Sequence, residues 1–535
     1  NPVNQLVAKG MLSKLGCAVT VAVHGAEALN QLEHNRFDLV LMDCNMPVMD
    51  GYEASRQIRR SGRWRPCPGT PQADRLTRPQ TPPNPAPGLA SPTLAHSLLK
   101  TPSPPVRRRP APGPIVLFRG STMSTLEHLP AHPVRVLRSE EEAVAAAREI
   151  ALEIAEIAAD PRHNQQLPRR QAQLLSESGL TAIGVPKAFG GLGASVQTIV
   201  ETVRLISVAD GGVGQLLQIH NVMLRGIFSG YPDEVRDQLI SDVLAGKRFG
   251  NALAEVGGKN KFALKTRVER RDDGKLILNG SKFYSTGSYL AEWISLTAAS
   301  DDGGAGVLLN RNTPGLTLVD DWEAFGQNNS VSGTVIFDNI ELDERFVSQR
   351  KGPMKRTGLT FPQILHAAID TGIAAGALGA AVDYLKQHAR PWVESGVERA
   401  NEEPHIIKQI GEYAVALRAA ESLLRDAARV FDQHELDPDN KALQDELILS
   451  VATARAHSDG ASLKISSDIF SLLGASSSLS KWNLDRFWRN ARVHTTHDPI
   501  RWRLHHVGNY YLNDVDPGEY TAILNAKEKQ GATRG

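Results

Sequence analysis

The sequence FWRNARVHTTHDP occupies residues 487–499 and closes a long helical region of the chain. Its last residue, Pro499, constrains the backbone of Asp498. The preceding His497 has a side chain type that titrates near neutrality, so it can supply or relay a proton. We therefore expect the end of this stretch to bear on function, and we work outward from it.

Upstream of this stretch the predicted elements follow the order helix, strand, helix. Residues 139–247 predict helices, the first opened by Ser139 and Glu142 in capping-box spacing. Residues 250–347 predict strands and turns, with Asn279-Gly280 as a hairpin turn. Residues 361–492 again predict long helices. This part of the chain is expected to hold three domains.

The first 122 residues differ from this pattern. Residues 1–63 alternate helix and strand, with a helix at 26–32 and a continuous apolar strand at 37–42, which is typical of a parallel α/β fold. Residues 64–122 hold fifteen of the 31 prolines and little hydrophobic periodicity, so they predict a disordered linker. Met123 reads as the start of a complete enzyme.

The run DLVLMDCNMPVMDG, residues 38–51, places Asp43 just beyond the predicted strand. It resembles the phosphoacceptor segment of response-regulator receiver domains, and the resemblance implies that Asp43 accepts phosphate in a phosphorelay. Receivers also need an acidic metal-binding pair, a hydroxyl residue and a lysine, which are missing from residues 1–63. We interpret this region as a partial receiver domain from a gene fusion, in which Asp43 is vestigial.

Composition excludes several classes of protein. The chain has 60 basic and 59 acidic residues, and its one concentrated basic run, Arg107 to Arg109, lies among prolines without aromatic residues, so no nucleic-acid partner is expected. No apolar run reaches the roughly 20 residues that cross a bilayer, so no membrane partner is expected. Three cysteines without metal-ligand spacing fit a reducing compartment, and we expect a cytoplasmic protein.

Four separated stretches resemble the acyl-CoA dehydrogenase superfamily, and they lie at residues 179–193, 279–287, 332–340 and 487–499. The resemblance implies an N-terminal α-helical domain, a β-barrel-like middle domain and a C-terminal four-helix bundle. Their expected bounds are 123–249, 250–355 and 356–525. It also implies a homotetramer, for which the small-residue helix at 372–379 would suit close packing, although a monomeric core would use it equally well.

The last of these stretches indicates which branch the chain resembles. One branch of dehydrogenases has a catalytic glutamate where this chain has His497-Asp498-Pro499, and no glutamate lies in residues 366–380, where another branch carries its base. The pattern is similar to the flavin monooxygenases of the superfamily, of the dibenzothiophene-monooxygenase-like and sulfur-acquisition kind, as are residues 322–327 and 389–392. An acyl-CoA dehydrogenase or oxidase is the second hypothesis, and a phosphorelay receiver protein the third.

The resemblance implies a mechanism and a set of catalytic residues. Reduced FMN, or alternatively FAD, would come from a separate flavin reductase and form a C4a-hydroperoxide that oxygenates a small organosulfur compound. The positions that match the catalytic residues are His220, Asn251, Ser285 and His497. The family has a tyrosine where this chain has Leu224, so substrate shape or oxygen contacts are expected to differ.

The cofactor contacts form a second set of expected residues. Those expected along the flavin ring are Asn251, Phe283, Ser285 and Thr286. For the cofactor phosphate, Arg390 is the first candidate, because a guanidinium can clamp phosphate with two hydrogen bonds. The second is the segment Gly474, Ala475, Ser476 and Ser477, although Gly474 could equally be a helix C-cap. No metal site is expected, since His494 and His505-His506 lack ligands at metal spacing.

Overall fold

The computed structural model describes residues 20, 22, 25–34, 133–228, 230–256, 264–301, 303–349 and 354–532. It divides the chain into two units, residues 1–129 and 130–535. In the first unit, helix α1 (Gly25–His34) contains the predicted helix at 26–32. The predictions for Asp43 and for the proline-rich linker lie outside the described residues.

The second unit opens with five helices, which are α2 (Glu140–Ala159), α3 (Arg169–Glu177), α4 (Val196–Ala209), α5 (Gly211–Gly226) and α6 (Asp233–Leu244). The Ser139 hydroxyl accepts the N–H of Glu142 at 3.2 Å and caps α2 as predicted. The Glu142 carboxylate reaches back to the N–H of Arg138 at 2.8 Å. The reciprocal bond of the capping box therefore lies one residue earlier than predicted.

A single mixed sheet of eight strands follows. The strands are β1 (Phe249–Ala252), β2 (Arg267–Arg270), β3 (Leu276–Lys282), β4 (Trp293–Ser300), β5 (Gly303–Asn310), β6 (Leu316–Leu318), β7 (Val335–Leu342) and β8 (Val347–Gln349). Their order is β6-β7-β3-β2-β4-β5-β8, and β1 pairs with β4 in parallel, Asn251 opposite Ser295. The apolar side chains of the sheet form a core of their own.

The predicted turn at Asn279-Gly280 is wrong. Both residues lie inside β3, where the pairing with β7 shifts register between Leu278 and Gly280. Gly280 has φ +143°, and a Cβ there would lie 2.6 Å from the Cα of Thr266. The glycine thus allows a bulge and a close approach of two strands, so the chain continues instead of reversing.

Helices α7 (Thr360–Gln387), α8 (Pro404–Leu436), α9 (Lys441–Asp468), α10 (Phe470–Leu473), α11 (Asp485–His494), α12 (Arg501–Asn513) and α13 (Glu519–Ala532) complete the chain. Helix α7 packs against α4, α8 and α9. A Cβ on Gly372 would lie 2.5 Å from the carbonyl oxygen of Arg204, so its small residues already serve packing within one chain. By length and composition α7 would suit a membrane, yet 78% of its most apolar window is buried in the protein.

Candidate active site

The candidate site begins at β1, whose backbone is fixed from two sides. The Asn251 N–H donates to the carbonyl oxygen of Thr286 at 3.0 Å, and its carbonyl accepts the Ser288 hydroxyl at 2.7 Å. Gly250 allows this approach, because a Cβ there would lie 2.5 Å from the Ser288 backbone. The side-chain oxygen of Asn251 is buried and finds no partner among the described residues.

Ser285 lies on the segment that follows β3. Its N–H donates to the carbonyl of Gly333 at 3.2 Å, and its side chain is 1% exposed. Its hydroxyl has no hydrogen-bond partner within the described part of the chain. Close by, Tyr284 is exposed and adopts φ +58°, a conformation that non-glycine residues rarely adopt. The segment thus buries a free hydroxyl within a strained turn.

The two other residues predicted along the flavin ring differ in character. The Thr286 hydroxyl is buried and already bonds the Ser332 hydroxyl at 2.9 Å, so its free polar capacity is small. Phe283 is half-buried, and its ring lies 4.7 Å from that of Tyr284 and 6.2 Å from that of Trp322. Phe283 therefore offers an aromatic surface rather than a hydrogen bond.

His220 on α5 is fully buried, and both ring nitrogens are occupied. Nδ1 accepts the N–H of Phe249 at 3.1 Å, so the proton sits on Nε2, which donates to the carbonyl of Thr181 at 2.7 Å. Burial lowers the pKa of His220 to about 4. As placed, the neutral ring ties α5 to β1 next to Asn251, and it has no nitrogen left for proton transfer.

His497 lies beyond α11, as the sequence places it, and meets α5. Its Nε2 is 3.3 Å from the side-chain nitrogen of Gln215. Desolvation, and then repulsion by a positive charge on His494, lowers the pKa of His497 to about 4, although its side chain is exposed and water reaching the ring offsets part of this shift. Leu216, next to Gln215, lies 3.2 Å from where a Cβ of Gly287 would be. Helix α5 therefore links His497 to the Ser285 segment.

A group that sequence reasoning missed lies behind His497. The ring of His366 on α7 is 5.2 Å from that of His497, and its Nδ1 is 2.9 Å from Nε2 of His494. His494 Nδ1 is in turn 2.6 Å from a carboxylate oxygen of Asp370, which also pairs with Arg455. A charged Asp370 within the apolar helix α7, one turn after His366, was the sequence signal, since a buried carboxylate needs partners.

The sequence resemblance places Asp498 where one dehydrogenase branch has its base, and one oxygen of its carboxylate is engaged. It forms an ion pair with Arg503 and accepts a hydrogen bond from the side-chain amide of Gln363 at 3.3 Å. The carboxylate on α7, Asp370, is fully buried and engaged on both oxygens. Asp370 therefore has no oxygen left to abstract a proton from a substrate, whereas Asp498 is tied to Arg503 and Gln363 through one oxygen, Oδ2.

The two phosphate candidates lie in one region. The hydroxyl of Tyr384, near the end of α7, bonds the Ser476 hydroxyl at 2.7 Å, and Arg390 follows shortly after this helix. Arg390 is exposed and pairs with none of the described residues. Gly474 caps α10 with φ +74°, and the next two residues, Ala475 and Ser476, are exposed. The C-cap role of Gly474 is thus observed.

Unpartnered buried polar atoms test whether a flavin ring fits this site. Among the described residues that carry such atoms are Asn251, Ser285, Gln215 and Gln327. Gln327 lies beside the same face of α5 as Gln215. A Cβ on Gly211 would lie 3.1 Å from the Gln327 amide nitrogen, and Gly211 and Gln215 are one helical turn apart on α5. Each such atom costs about 1–3 kcal/mol unless a partner is present. A flavin ring has N–H and C=O groups at its edge, so these residues fit it.

Comparison with known families assigns four stretches of the chain. Residues 138–247, 252–340 and 364–502 match the N-terminal, middle and C-terminal domains of acyl-CoA dehydrogenase. Residues 1–68 match the response regulator receiver domain. Both resemblances that the sequence indicated are confirmed.

Individual relatives indicate the branch of the family to which the chain belongs. A dibenzothiophene monooxygenase from Rhodococcus erythropolis is 31% identical over 64% of this chain and 86% of its own length. A probable FMNH2-dependent monooxygenase, SfnC of Pseudomonas putida, is 28% identical over 70% of this chain and 96% of its own. FMN-bound TdsC from a Paenibacillus species superposes with a TM-score of 0.66 at 25% identity, covering 70% of this chain and 98% of TdsC. The chain therefore belongs to the acyl-CoA dehydrogenase family, on the branch that contains its flavin-dependent monooxygenases.

Proposed function

We propose that this protein is a reduced-flavin-dependent monooxygenase that transfers one oxygen atom to a small organosulfur compound. The observation that carries the proposal is that Asp498, which the resemblance places at the position of the dehydrogenase base, is held through one carboxylate oxygen by an ion pair with Arg503 and a hydrogen bond from Gln363. The named activities of the relatives from Rhodococcus and Pseudomonas support the same reaction. An acyl-CoA dehydrogenase remains the second candidate because a Bacillus subtilis enzyme of that name is 28% identical over 64% of this chain.

The residues of the site divide the work as follows. When bound, reduced flavin supplies the two electrons that reduce dioxygen, so that one oxygen atom enters the substrate and the other leaves as water. Ser285 and Asn251 provide buried, uncommitted polar atoms that hydrogen-bond polar groups and exclude water. His497 passes a proton through its ring, in contact with Gln215. His220 is a positioning residue that holds β1, and thereby Asn251, in place.

Reduced FMN is the proposed cofactor, supplied by a separate reductase. We infer that its phosphate does not reach the Arg390 region of its own chain from the proposed ring site. His366 and Tyr384 lie on the same helix about 27 Å apart at the α-helical rise, which is longer than FMN from ring to phosphate. We therefore propose that Arg390 and Ser476 serve a flavin held by another copy of the chain, in a homotetramer.

Light scattering of the purified protein tests the assembly. A tetramer at micromolar concentration is the expected result, and a monomer that binds reduced FMN with full affinity would contradict it. We also propose that the protein works in the cytoplasm and that Asp43 does not accept phosphate. Appreciable labelling of the full chain by a small phosphodonor would contradict the latter.

The reaction itself is tested by anaerobic titration with reduced FMN and with reduced FAD, followed by exposure to oxygen. Products are then sought from sulfones, sulfides, sulfinates and thiophenes. An oxygenated sulfur product, with reduced FMN preferred, is the expected result. Bleaching of the oxidised flavin by an acyl-CoA thioester, without an oxygenated sulfur product, would replace the proposal with the dehydrogenase.

A further inference from the structure

Four side chains form a continuous buried series beneath the candidate site. Arg455 on α9 pairs with one oxygen of Asp370, and the other oxygen lies 2.6 Å from Nδ1 of His494. Nε2 of His494 lies 2.9 Å from Nδ1 of His366. Asp370 and His494 are fully buried, whereas His366 is only half-buried. The series therefore runs from the protein interior towards the candidate site.

The ionised carboxylate of Asp370 decides where the protons lie. Burial alone would raise the pKa of Asp370, but its contacts with His494 and with the Arg455 guanidinium outweigh burial and lower the pKa. A carboxylate only accepts hydrogen bonds, so Nδ1 of His494 must carry a proton. With His494 neutral, its Nε2 lone pair accepts the Nδ1–H of His366. This tautomer leaves the lone pair of His366 on Nε2.

His366 is placed to act as the outer member of the series. Its Nε2 bonds no residue in the described ranges, and its ring lies 5.2 Å from that of His497. Burial, and then repulsion by a positive charge on the His494 or His497 ring, holds the pKa of His366 well below its ordinary value, so the ring is neutral at pH 7. A neutral imidazole with a free lone pair accepts a proton from one side and releases one from the other.

The structure assigns a proton relay to this series. Resting on the proposed function, we propose that Asp370 is a positioning residue that fixes the tautomers of His494 and His366, so that the two rings together hold and return one proton of the oxygen-transfer reaction. A proton binds Nε2 of His366 while the proton on its Nδ1 passes to Nε2 of His494. The resulting imidazolium lies against the Asp370 carboxylate, and the reverse transfer restores the resting state with no net change in atoms or electrons.

Other charged groups surround the pair and bear on any pH dependence. They are Arg455 and Asp459 on α9, His497 and Asp498 after α11, and Arg503 on α12. Burial and the charge of Asp370 raise the pKa of Asp459 to about 6. An Asp459→Asn variant therefore identifies the part of a pH profile that belongs to this carboxyl group.

The tautomers are tested first, by ¹⁵N and ¹H NMR of the histidine rings in the full chain. We expect a strongly downfield proton on His494 Nδ1, which is lost in Asp370→Asn and kept in His366→Gln. The control Asp383→Asn changes an exposed carboxylate on the same helix and should leave the signal unchanged. A wild-type spectrum in which the His494 proton lies on Nε2 instead of Nδ1 would overturn the assignment, regardless of the activity measured.

Function is measured as product formed per flavin oxidised, between pH 6 and pH 8.5. Proton transfer by a positioned side chain typically contributes about 100–10,000-fold, and a residue that only positions or supports such a group contributes less. We expect Asp370→Asn and His366→Gln to lower product formation by about 10–100-fold at pH 7.5, with reduced-flavin affinity kept. The histidine control is His457→Gln, whose ring bonds the carbonyl of Ala416 away from the site.

The pH profile separates a relay from a structural role. In Asp370→Asn, product formation should recover towards lower pH, because solvent protons compensate for the lost carboxylate. An equal loss at every pH, or coupling within twofold of wild type, would overturn the proposal. If Asp370→Asn does not fold, His366→Gln decides, because it leaves the Asp370–Arg455 pair intact. Failure of the wild-type protein to oxygenate any compound tested would refute the proposed function, whereas the NMR result would stand.

Discussion

Alanine substitutions at Ser285 and Ser288 test whether the site keeps buried polar groups without hydrogen-bond partners until a ligand binds. Both side chains are 1% exposed, and they lie three residues apart on one segment. The Ser288 hydroxyl donates to the carbonyl of Asn251 at 2.7 Å, whereas the Ser285 hydroxyl has no partner among the described residues. Replacement by alanine should therefore change stability in opposite directions at the two positions.

The magnitudes follow from the cost of burying a polar atom. An unpartnered hydroxyl costs about 1–3 kcal/mol, so Ser285→Ala should stabilise the ligand-free protein by roughly 1–2 kcal/mol. Ser288→Ala loses one hydrogen bond and leaves a carbonyl unpaired, which costs about 1–2 kcal/mol. For a unit of roughly 400 residues, 1 kcal/mol corresponds to about 1 °C in melting temperature. The two variants should thus differ by about 2–4 °C.

Ser285→Ala should lower the activity even though it raises the stability of the ligand-free protein. Removal of one preorganised hydrogen-bond group typically costs on the order of a hundredfold. We expect Ser285→Ala to bind reduced FMN but to release hydrogen peroxide in place of product, as Asn251→Ala should. The measurements are differential scanning fluorimetry without flavin and product formed per flavin oxidised. A Ser285→Ala variant that melts below wild type and keeps wild-type coupling would refute the reasoning.

Three further predictions concern the surroundings of the site. Burial lowers the pKa of His220 from 6.5 to about 4, so the unfolded state takes up a proton before the folded state does as the pH falls. Wild type loses up to roughly 3 kcal/mol of stability in this way. The melting temperature of His220→Gln should therefore fall less than that of wild type between pH 7 and pH 5. A parallel fall in both proteins would contradict the buried neutral ring. Gly250→Ala should lower the melting temperature and weaken flavin binding, because the new Cβ would lie 2.5 Å from the Ser288 backbone. A flavin affinity equal to that of wild type, measured by titration, would contradict this prediction. Arg390→Ala should weaken reduced FMN binding by about 10–100-fold in a fluorescence titration, whereas Arg399→Ala, which removes an arginine paired with its own helix turn, should not.

Local chemistry in the sequence predicted local structure well. The Ser139 hydroxyl and the following acidic residues place the start of α2, because a cap depends only on a few neighbouring residues. The order helix, strand, helix likewise followed from periodicity, and the family matches confirm it. Asn279-Gly280 shows the limit, since the dipeptide suits a hairpin and a bulge equally. The strands β2 and β7, which pair on either side of β3, selected the bulge.

The sequence by itself also determined which candidate groups lie together after α11, because His497, Asp498 and Pro499 are adjacent in the chain. Only the tertiary structure decided what these groups can do. Asp498 is engaged because Arg503 and Gln363 reach it. His366 and His494 are 128 positions apart, and their contact depends on how α7 packs against α11. Hydrogen bonds act over about 3 Å, so the protonation state of a side chain depends on neighbours that folding brings from distant parts of the chain.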